Sequence, residues 1–151
     1  MAQANAISGK KVLVQIETTP GSGTFAHDCL INLDREIDFT ADSADVIIPD
    51  CDPNANPVWR QKIINSLSAG ISGAGTTHTT SVSTWFTWIS TGVSKNIRYR
   101  IDTTGALGGG WFSGAFKLTQ FKPASSDGTA NPGSASITLE NDGPVTWTAA
   151  P

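Results

Sequence analysis

Alternation of apolar and polar residues predicts β-strands along most of this chain. Apolar side chains recur at every second position, as in strands that bury one face. Five stretches have this pattern, namely 12–16, 25–39, 59–75, 95–102 and 112–118. The stretch that begins at Trp59 also fits a short helix. Near the end of the chain, the Asn-Asp-Gly-Pro sequence at 141–144 separates two apolar runs and predicts a terminal hairpin.

One segment, at about 82–92, has the apolar spacing of an amphipathic helix instead. The four residues that form its predicted core-facing stripe are Val82, Trp85, Phe86 and Ile89. Thr80 or Ser81 can cap the start of this helix, and Gly92 stands where a helix ends in the left-handed conformation. A single helix among many strands predicts a mainly β protein, with the helix packed against the strands.

Periodicity stops between residues 40 and 58, a stretch that contains three prolines and four aspartates. A connection of this length is unusual in a compact domain, so it predicts a long protruding loop. Val46, Ile47 and Ile48 form an apolar tip on it, which is unfavourable to expose in a monomer. The expected architecture is therefore an antiparallel β-sandwich or barrel with one flanking helix and a loop at about 40–58, in a single domain spanning 1–151.

Composition narrows the possible functions. Only 15% of the 151 residues are charged, and the net charge of −3 argues against a protein that grips nucleic-acid phosphates. No stretch is apolar enough to span a membrane, and the N-terminal residues lack the apolar core of a secretion signal. Cys29 and Cys51 could form a disulfide, although two idle thiols are the simpler interpretation without such a signal.

Charge is distributed unevenly along the chain. Residues 28–52 contain eight acidic side chains and one arginine, whereas residues 53–122 contain seven basic side chains and one aspartate. These blocks either pair within one molecule or bring the acidic segment of one copy against the basic surface of the next. For the second alternative, Arg98 and Arg100 on the strand at 95–102 are the candidate basic partners.

Candidate catalytic or ligand-binding chemistry is sparse. The glycines of Gly-Ile-Ser-Gly-Ala-Gly at 70–75 have the wrong order and spacing for a dinucleotide or phosphate loop. His27 and His78 lack neighbours at metal-ligand spacing, and there is no nucleophile motif, so we expect no enzyme activity, no metal and no cofactor. The alternating acids Asp34, Glu36 and Asp38 fit a solvated or lumen-facing strand surface better than a hydrolase pair.

Five tryptophans leave open a carbohydrate-binding or adhesion module, since aromatic rings stack on sugars. Trp59, Trp85 and Trp147 occupy the apolar positions of their segments, which favours core packing. Trp88 and Trp111 remain as the rings free for a surface role.

The ordered set of segments resembles a known family. GKKVLVQIE, DREIDFTADSADV and WRQKIINSLSAGISGAG are followed by VSTWFTWISTG, by NIRYRID with GWFSGAFKLTQF, and by GSASITLENDGPVTW. This series is similar to the major tail protein, or tail tube protein, of long-tailed non-contractile bacteriophages and related tail-like particles. Residues 72–75, 114–121 and 139–147 carry the best-matching motifs.

The resemblance implies a structural virion protein whose hexameric rings stack into a tail tube for DNA delivery. It implies self-association, a tape-measure protein inside the tube, and terminator and tip proteins at its ends. Double-stranded DNA would pass without specific binding, no membrane would be contacted, and assembly would occur in the host bacterial cytoplasm. The loop at 40–58 would grip the next ring, and we list its expected contact residues as Asp45, Val46, Ile47, Ile48, Asp50 and Asp52. Asp34, Glu36 and Asp38 would face the lumen, because a conduit for DNA should not attract phosphates.

Overall fold

A computed structural model describes residues 6–28, 30–49, 51, 57–124 and 133–151 of the chain. Eight strands and one α-helix form the described part, together with two short 3-10 turns at Gly9–Lys11 and Gly105–Leu107. The strands are β1 (Val12–Glu17), β2 (Phe25–His27), β3 (Leu33–Val46), β4 (Gln61–Thr76), β5 (Lys95–Ile101), β6 (Gly110–Ala124), β7 (Ser134–Asn141) and β8 (Thr146–Ala149). The helix α1 (Thr79–Thr91) lies between β4 and β5.

All described strands belong to one antiparallel sheet with the order β2-β1-β5-β6-β7-β4-β3, and β8 pairs with β6. The sheet curves over its own core. The rings of Phe39 on β3 and Phe112 on β6 meet at 5.1 Å although two strands separate β3 from β6 in the sheet order. The Tyr99 hydroxyl also donates to the Arg35 carbonyl at 3.3 Å. The predicted mainly β fold is confirmed, and the sheet of the described residues does not close into a barrel.

One face of the sheet supplies the core, because the register places apolar residues of neighbouring strands side by side. In one such row, Ile37 pairs with Ile71, Ile71 with Leu139, and Leu139 with Leu118. The helix completes the core with Trp85 and Trp88, which are 1% and 3% exposed. The Trp85 ring also stacks on Phe121 of β6 at 6.5 Å.

The helix prediction is confirmed with one change to its buried face. Trp85 is buried, and Val82 and Ile89 are half-buried, as the prediction required. Phe86 is 63% exposed, however, and Trp88 is buried in its place. The prediction that Trp88 is free for surface binding is therefore wrong. Its indole N–H donates to the Val93 carbonyl at 2.8 Å inside the fold. Gly92 ends the helix in the left-handed conformation, with φ 65°, as expected.

The predicted terminal hairpin at 141–144 is wrong. β7 and β8 both pair antiparallel with β6, β7 along its C-terminal part and β8 along residues 110–113, so the chain continues in one direction across the interruption. The Asp142 amide donates to the Ala115 carbonyl at 2.8 Å, which holds the interrupting segment against β6. Asn141 stabilises the kink by accepting from the Ala69 amide and donating to the Gly143 carbonyl, both at 2.9 Å.

The loop predicted at 40–58 is shorter in the structure, because its first seven residues belong to a strand. β3 continues through residues 40–46 and pairs with residues 61–68 of β4, so much of the segment is an extended hairpin. A register irregularity here leaves Asn65 of β4 without a partner. Residues 40–45 of β3 are all exposed, so burial imposed no apolar alternation that would have shown the strand in the sequence. Asp50 and Asp52 lie outside the described residues, as does Cys29, so its pairing with the exposed Cys51 stays untested.

The glycines at 70–75 provide space for a neighbouring chain segment. A Cβ at Gly73 would overlap the Ile31 side chain, and one at Gly75 would overlap the Leu30 carbonyl oxygen. Leu30 and Ile31 are both fully buried, so the connection between β2 and β3 packs directly on the backbone of β4. Small residues at this strand end therefore allow the close approach of residues 30–31.

Candidate assembly surfaces

The most exposed feature is the hairpin of β3 and β4 beyond the core, which we call the arm. It consists of residues 40–46 and 61–68 with the described flanking residues 47–49 and 57–60. All of its residues are exposed except Val46, which is half-buried. Its large apolar side chains are 40–91% exposed, and they are Ile47, Ile48, Val58, Trp59, Ile63, Ile64 and Leu67. The prediction that Trp59 packs in the core is therefore wrong, since it is 91% exposed.

Apolar residues occur on both faces of the arm. Leu67 is paired with Ala41, and Ile63 is paired with Ala44. Paired residues lie on the same face of a ribbon, and Ala41 and Ala44, three residues apart, point to opposite faces, so Leu67 and Ile63 do as well. A two-stranded ribbon cannot bury both of its faces, and such a ribbon is only marginally stable alone in water. An exposed apolar surface of this kind is typical of a protein–protein contact.

Asp45 is neutralised within its own arm. Its carboxylate contacts Lys62 at 2.8 Å and Arg60 at 3.4 Å. For Asp45 the charge blocks thus pair within the molecule, which was one of the two alternatives. Asp42, three residues nearer to the body along β3, forms no ion pair among the described residues.

Arg98 and Arg100 lie on the same strand but have different surroundings. Arg100 pairs with Asp102 of its own chain at 3.1 Å. Arg98 instead lies between two aromatic rings, with its guanidinium carbon 3.9 Å from the Phe25 ring centre and 5.1 Å from the Trp111 ring centre. Its Nε is buried and has no hydrogen-bond partner in the described chain. We call Phe25, Arg98 and Trp111 the arginine clamp.

The predicted acidic face divides into two parts. Glu36 and Asp38 are exposed and pair with Ser72 and Gly70 in the β3–β4 ladder, which places both on the side of the sheet opposite the core. Asp34 lies within a register irregularity and has φ 46°, a left-handed conformation uncommon for a residue other than glycine. The backbone there interrupts the alternation that the prediction assumed, so Asp34 does not share the regular row of Glu36 and Asp38.

Neighbouring strands extend this surface, which we call the polar face. The rows that cross β3, β4, β7 and β6 here are Asp38, Gly70, Glu140 and Lys117, then Glu36, Ser72, Thr138 and Gln120. Lys117 also contacts Asp142 at 3.7 Å. Three acidic side chains and one lysine lie in these two rows among hydroxyl and amide groups, so the rows carry a net charge of −2.

The outer edge of β3 has no strand partner among the described residues, whereas the opposite edge of the sheet is the short strand β2. A long unpaired edge presents amide and carbonyl groups that readily pair with another chain. The fold thus offers a sheet edge for lateral association in addition to the arm.

Glu17 is a buried polar group that the sequence pattern did not single out. It is 8% exposed and accepts hydrogen bonds from the Gly23 amide at 2.9 Å and from Asn96 Nδ2 at 2.6 Å. The hydrogen bond from Gly23, followed by that from Asn96, lowers the pKa of Glu17. Its carboxylate fixes the β1–β2 turn beside β5 and thereby positions Phe25 of the arginine clamp.

The two histidines have local partners. His27 Nδ1 lies 3.1 Å from the Val14 carbonyl, and His78 Nδ1 lies 2.7 Å from the Thr80 hydroxyl at the start of the helix. Within the described ranges, no group of three or more histidine, cysteine, aspartate or glutamate side chains could hold a metal ion. No helix of the described chain has the length and hydropathy needed to cross a membrane.

Several solved structures share this fold. A chain from the tail of an empty GTA particle with C6 symmetry superposes with a TM-score of 0.76 and 23% identity, covering 95% of this chain and all of that one. The present chain has the fold of a tail subunit. A chain from the PVC sheath–tube complex of an extracellular contractile injection system matches with a TM-score of 0.64 and 18% identity, over 96% of this chain and 93% of that one.

The SPP1 tail tube also matches, with a TM-score of 0.59 and 10% identity over 95% of this chain and 80% of that one. No protein-family profile matches the sequence, and no curated protein matches it either. One of these structures is described as a sheath–tube complex, and the other two are described as tails without mention of a sheath. The shared fold therefore does not distinguish contractile from non-contractile assemblies.

Proposed function

We propose that this chain is a tail tube subunit that polymerises into stacked, hexameric rings. The arm is the observation that carries the proposal, because its apolar side chains on both faces need a second copy to cover them. The tail fold and the unpaired edge of β3 support the same function. Such a subunit needs self-complementary surfaces and no catalytic group, so we propose no enzyme activity.

In this proposal the arm grips the next ring, through Val46, Ile47 and Ile48 at its described tip and through Asp50 and Asp52 beyond it. Asp45 contributes to the arm by its own ion pairs with Arg60 and Lys62. Ring closure joins sheet edges side by side, with β3 as one of the two edges. The interface is heterologous, since different surfaces of the same chain meet, and it closes into a ring when the rotation between copies is regular.

We further propose that the polar face lines the lumen, with Glu36 and Asp38 toward its axis. A surface with mixed charges and hydroxyl groups gives passing DNA no continuous row of cations to bind. The tube then serves as the conduit for DNA delivery in a non-contractile phage tail. A tape-measure protein inside it and terminator and tip proteins at its ends are the partners of this function, with assembly in the host cytoplasm and the virion tail as the final location.

Negative-stain electron microscopy of the purified protein tests the proposal directly. We expect rings or tubes of uniform diameter, with six subunits per ring by mass measurement. A protein that stays monomeric at all concentrations, in the presence and absence of salt, would contradict the tail tube function.

The alternative function, a carbohydrate-binding or adhesion module, has lost much of its support. Trp88 is buried under the helix, and Trp111 is part of the arginine clamp. Trp59 is exposed, but it lies on the arm among other apolar residues and not over a polar cleft. Glycan-array binding by a monomeric protein would favour this alternative.

A further inference from the structure

We propose that the arginine clamp is the receptor for the arm of a second copy, with Asp42 of that arm as the carboxylate that Arg98 binds. This inference rests on the proposed ring stacking and names the two surfaces that meet in it. It separates Arg98 from Arg100, which sequence reasoning treated as equivalent.

The clamp holds the guanidinium of Arg98 in one orientation. The central carbon of this group lies 3.9 Å from the centre of the Phe25 ring and 5.1 Å from the centre of the Trp111 ring, and aromatic rings at such distances stabilise a cation. A carboxylate that meets such a guanidinium edge-on can form two parallel hydrogen bonds. Because Arg98 is already fixed, less conformational entropy is lost when the partner binds.

No acceptor in the described part of the chain forms an ion pair with this arginine. Its Nε is also without a hydrogen-bond partner there. The nearby Glu17 carboxylate already accepts hydrogen bonds from Gly23 and Asn96. The Glu17 carboxylate attracts Arg98 electrostatically but lies beyond ion-pair distance. A carboxylate from another copy that contacts the terminal nitrogens of Arg98 would supply the ion pair that the described chain lacks.

Asp42 is the acidic residue that fits this role best. It lies on the arm, where it is exposed and unpaired among the described residues, whereas Asp45 on the same arm is bound to Arg60 and Lys62. Glu36 and Asp38 belong to the body of the sheet, and the Asp38 carboxylate lies over Gly70 of its own ladder. Asp42 is therefore placed to reach a second copy.

The apolar character of both surfaces supports the same contact. Phe25 and Trp111 are half-buried and present aromatic surface beside the charge, and the arm presents Ile63, Ile64 and Leu67 near Asp42. An arginine surrounded by aromatic and aliphatic groups is typical of the few interface residues that carry most of the binding energy. Once apolar groups exclude water from the pair, its electrostatic attraction strengthens.

A matched pair of variants tests the inference. Arg98→Gln and Arg100→Gln remove the same charge from the same face of the same strand. We expect Arg98→Gln to raise the critical concentration for tube formation about tenfold or more, as loss of a buried charged partner does. We expect Arg100→Gln to leave it within about twofold, because Arg100 is engaged with Asp102 of its own chain.

Charge exchange identifies the partner. Asp42→Arg and Arg98→Glu should each block assembly, while the double variant with both changes should restore tubes. Asp42 is exposed on the arm, so its substitution leaves the fold intact even if changes at Arg98 lower stability, and circular dichroism melting of every variant checks this.

The outcomes separate the inference from the function on which it rests. If the wild-type protein forms no rings or tubes, the proposed function fails and the inference fails with it. If the wild type assembles and Arg98→Gln and Asp42→Arg assemble equally well, the tail tube function stands and the arginine clamp is not the receptor. If Arg98→Gln is defective but Asp42→Arg is not, the assignment of Asp42 is overturned.

Discussion

At the scale of single residues, glycine positions show how closely two segments of this chain pack. Gly73→Val should destabilise the protein because its side chain would overlap Ile31, which is fully buried and cannot move away freely. Overpacking of this kind costs about 1–3 kcal/mol. At Gly9 a Cβ would meet nothing within 4 Å, so Gly9→Ala is the control. Thermal melting should show a lower midpoint for the first variant only, and equal midpoints would contradict the close packing.

Glu17 makes a prediction about pH. Its hydrogen bonds from Gly23 and Asn96 hold its pKa below the usual range, so the ionised form stabilises the folded state. For a lowered carboxyl pKa this stabilisation is present above the unfolded-state pKa and is lost as the pH falls through the folded-state pKa. Glu17→Gln should therefore be less stable than wild type at neutral pH, and the difference should shrink in acid.

Denaturant unfolding across the acidic range measures this effect. Glu140→Gln, at an exposed glutamate in no ion pair among the described residues, is the control and should track the wild type at each pH. If the free energy of unfolding of Glu17→Gln stays below that of wild type by a constant amount down to low pH, the shape of the side chain, and not its charge, stabilises the fold at this position.

At the scale of elements, the sequence predicted strands well where one face is buried and poorly where neither is. β5 and the core half of β4 alternate as their burial requires, whereas β1 buries Val14 and also the polar Glu17. The arm is exposed on both faces, so burial imposes no alternation there. Its β3 part was therefore predicted as a loop, and its β4 part was predicted as a strand with one face in the core. The kink between β7 and β8 was taken for a hairpin because turn residues do not reveal that both strands pair with β6.

The candidate site was only partly predictable for a similar reason. A sequence shows that Arg98 and Arg100 share a strand face, but only the tertiary arrangement brings Phe25 over one and Asp102 beside the other. Likewise, the apolar tip at 46–48 was recognisable, whereas the larger apolar surface of the arm depends on the pairing of β3 with β4.

The arm itself should be removable without loss of the fold. Replacing residues 43–64 by a short Asn-Gly turn shortens both strands together and leaves the core untouched, since the deleted described residues include none of the buried ones. We expect a folded protein by circular dichroism that forms no tubes in electron microscopy. Ile63→Ser with Leu67→Ser, which keeps the arm and reduces its apolar surface, should weaken assembly in the same direction. Unfolding of the shortened protein would mean that the arm stabilises the body instead.

At the scale of the whole molecule, one face of the sheet forms the core and the other is the polar face. The proposal that the polar face lines the lumen can be tested by changing its charge. If the polar face lines the tube, changing Glu36 and Asp38 to lysine converts a net acidic inner wall into a basic one. Lysines bind DNA phosphates, and the release of counterions favours this binding at low salt. DNA should therefore be retained inside the variant tubes at low salt and released as the salt concentration is raised. Ser83→Lys with Ser90→Lys adds positive charge at exposed positions of the helix and serves as the control. Nuclease-resistant DNA recovered with the Glu36 and Asp38 variant alone would support the assignment, and equal protection by both variants would place the polar face elsewhere.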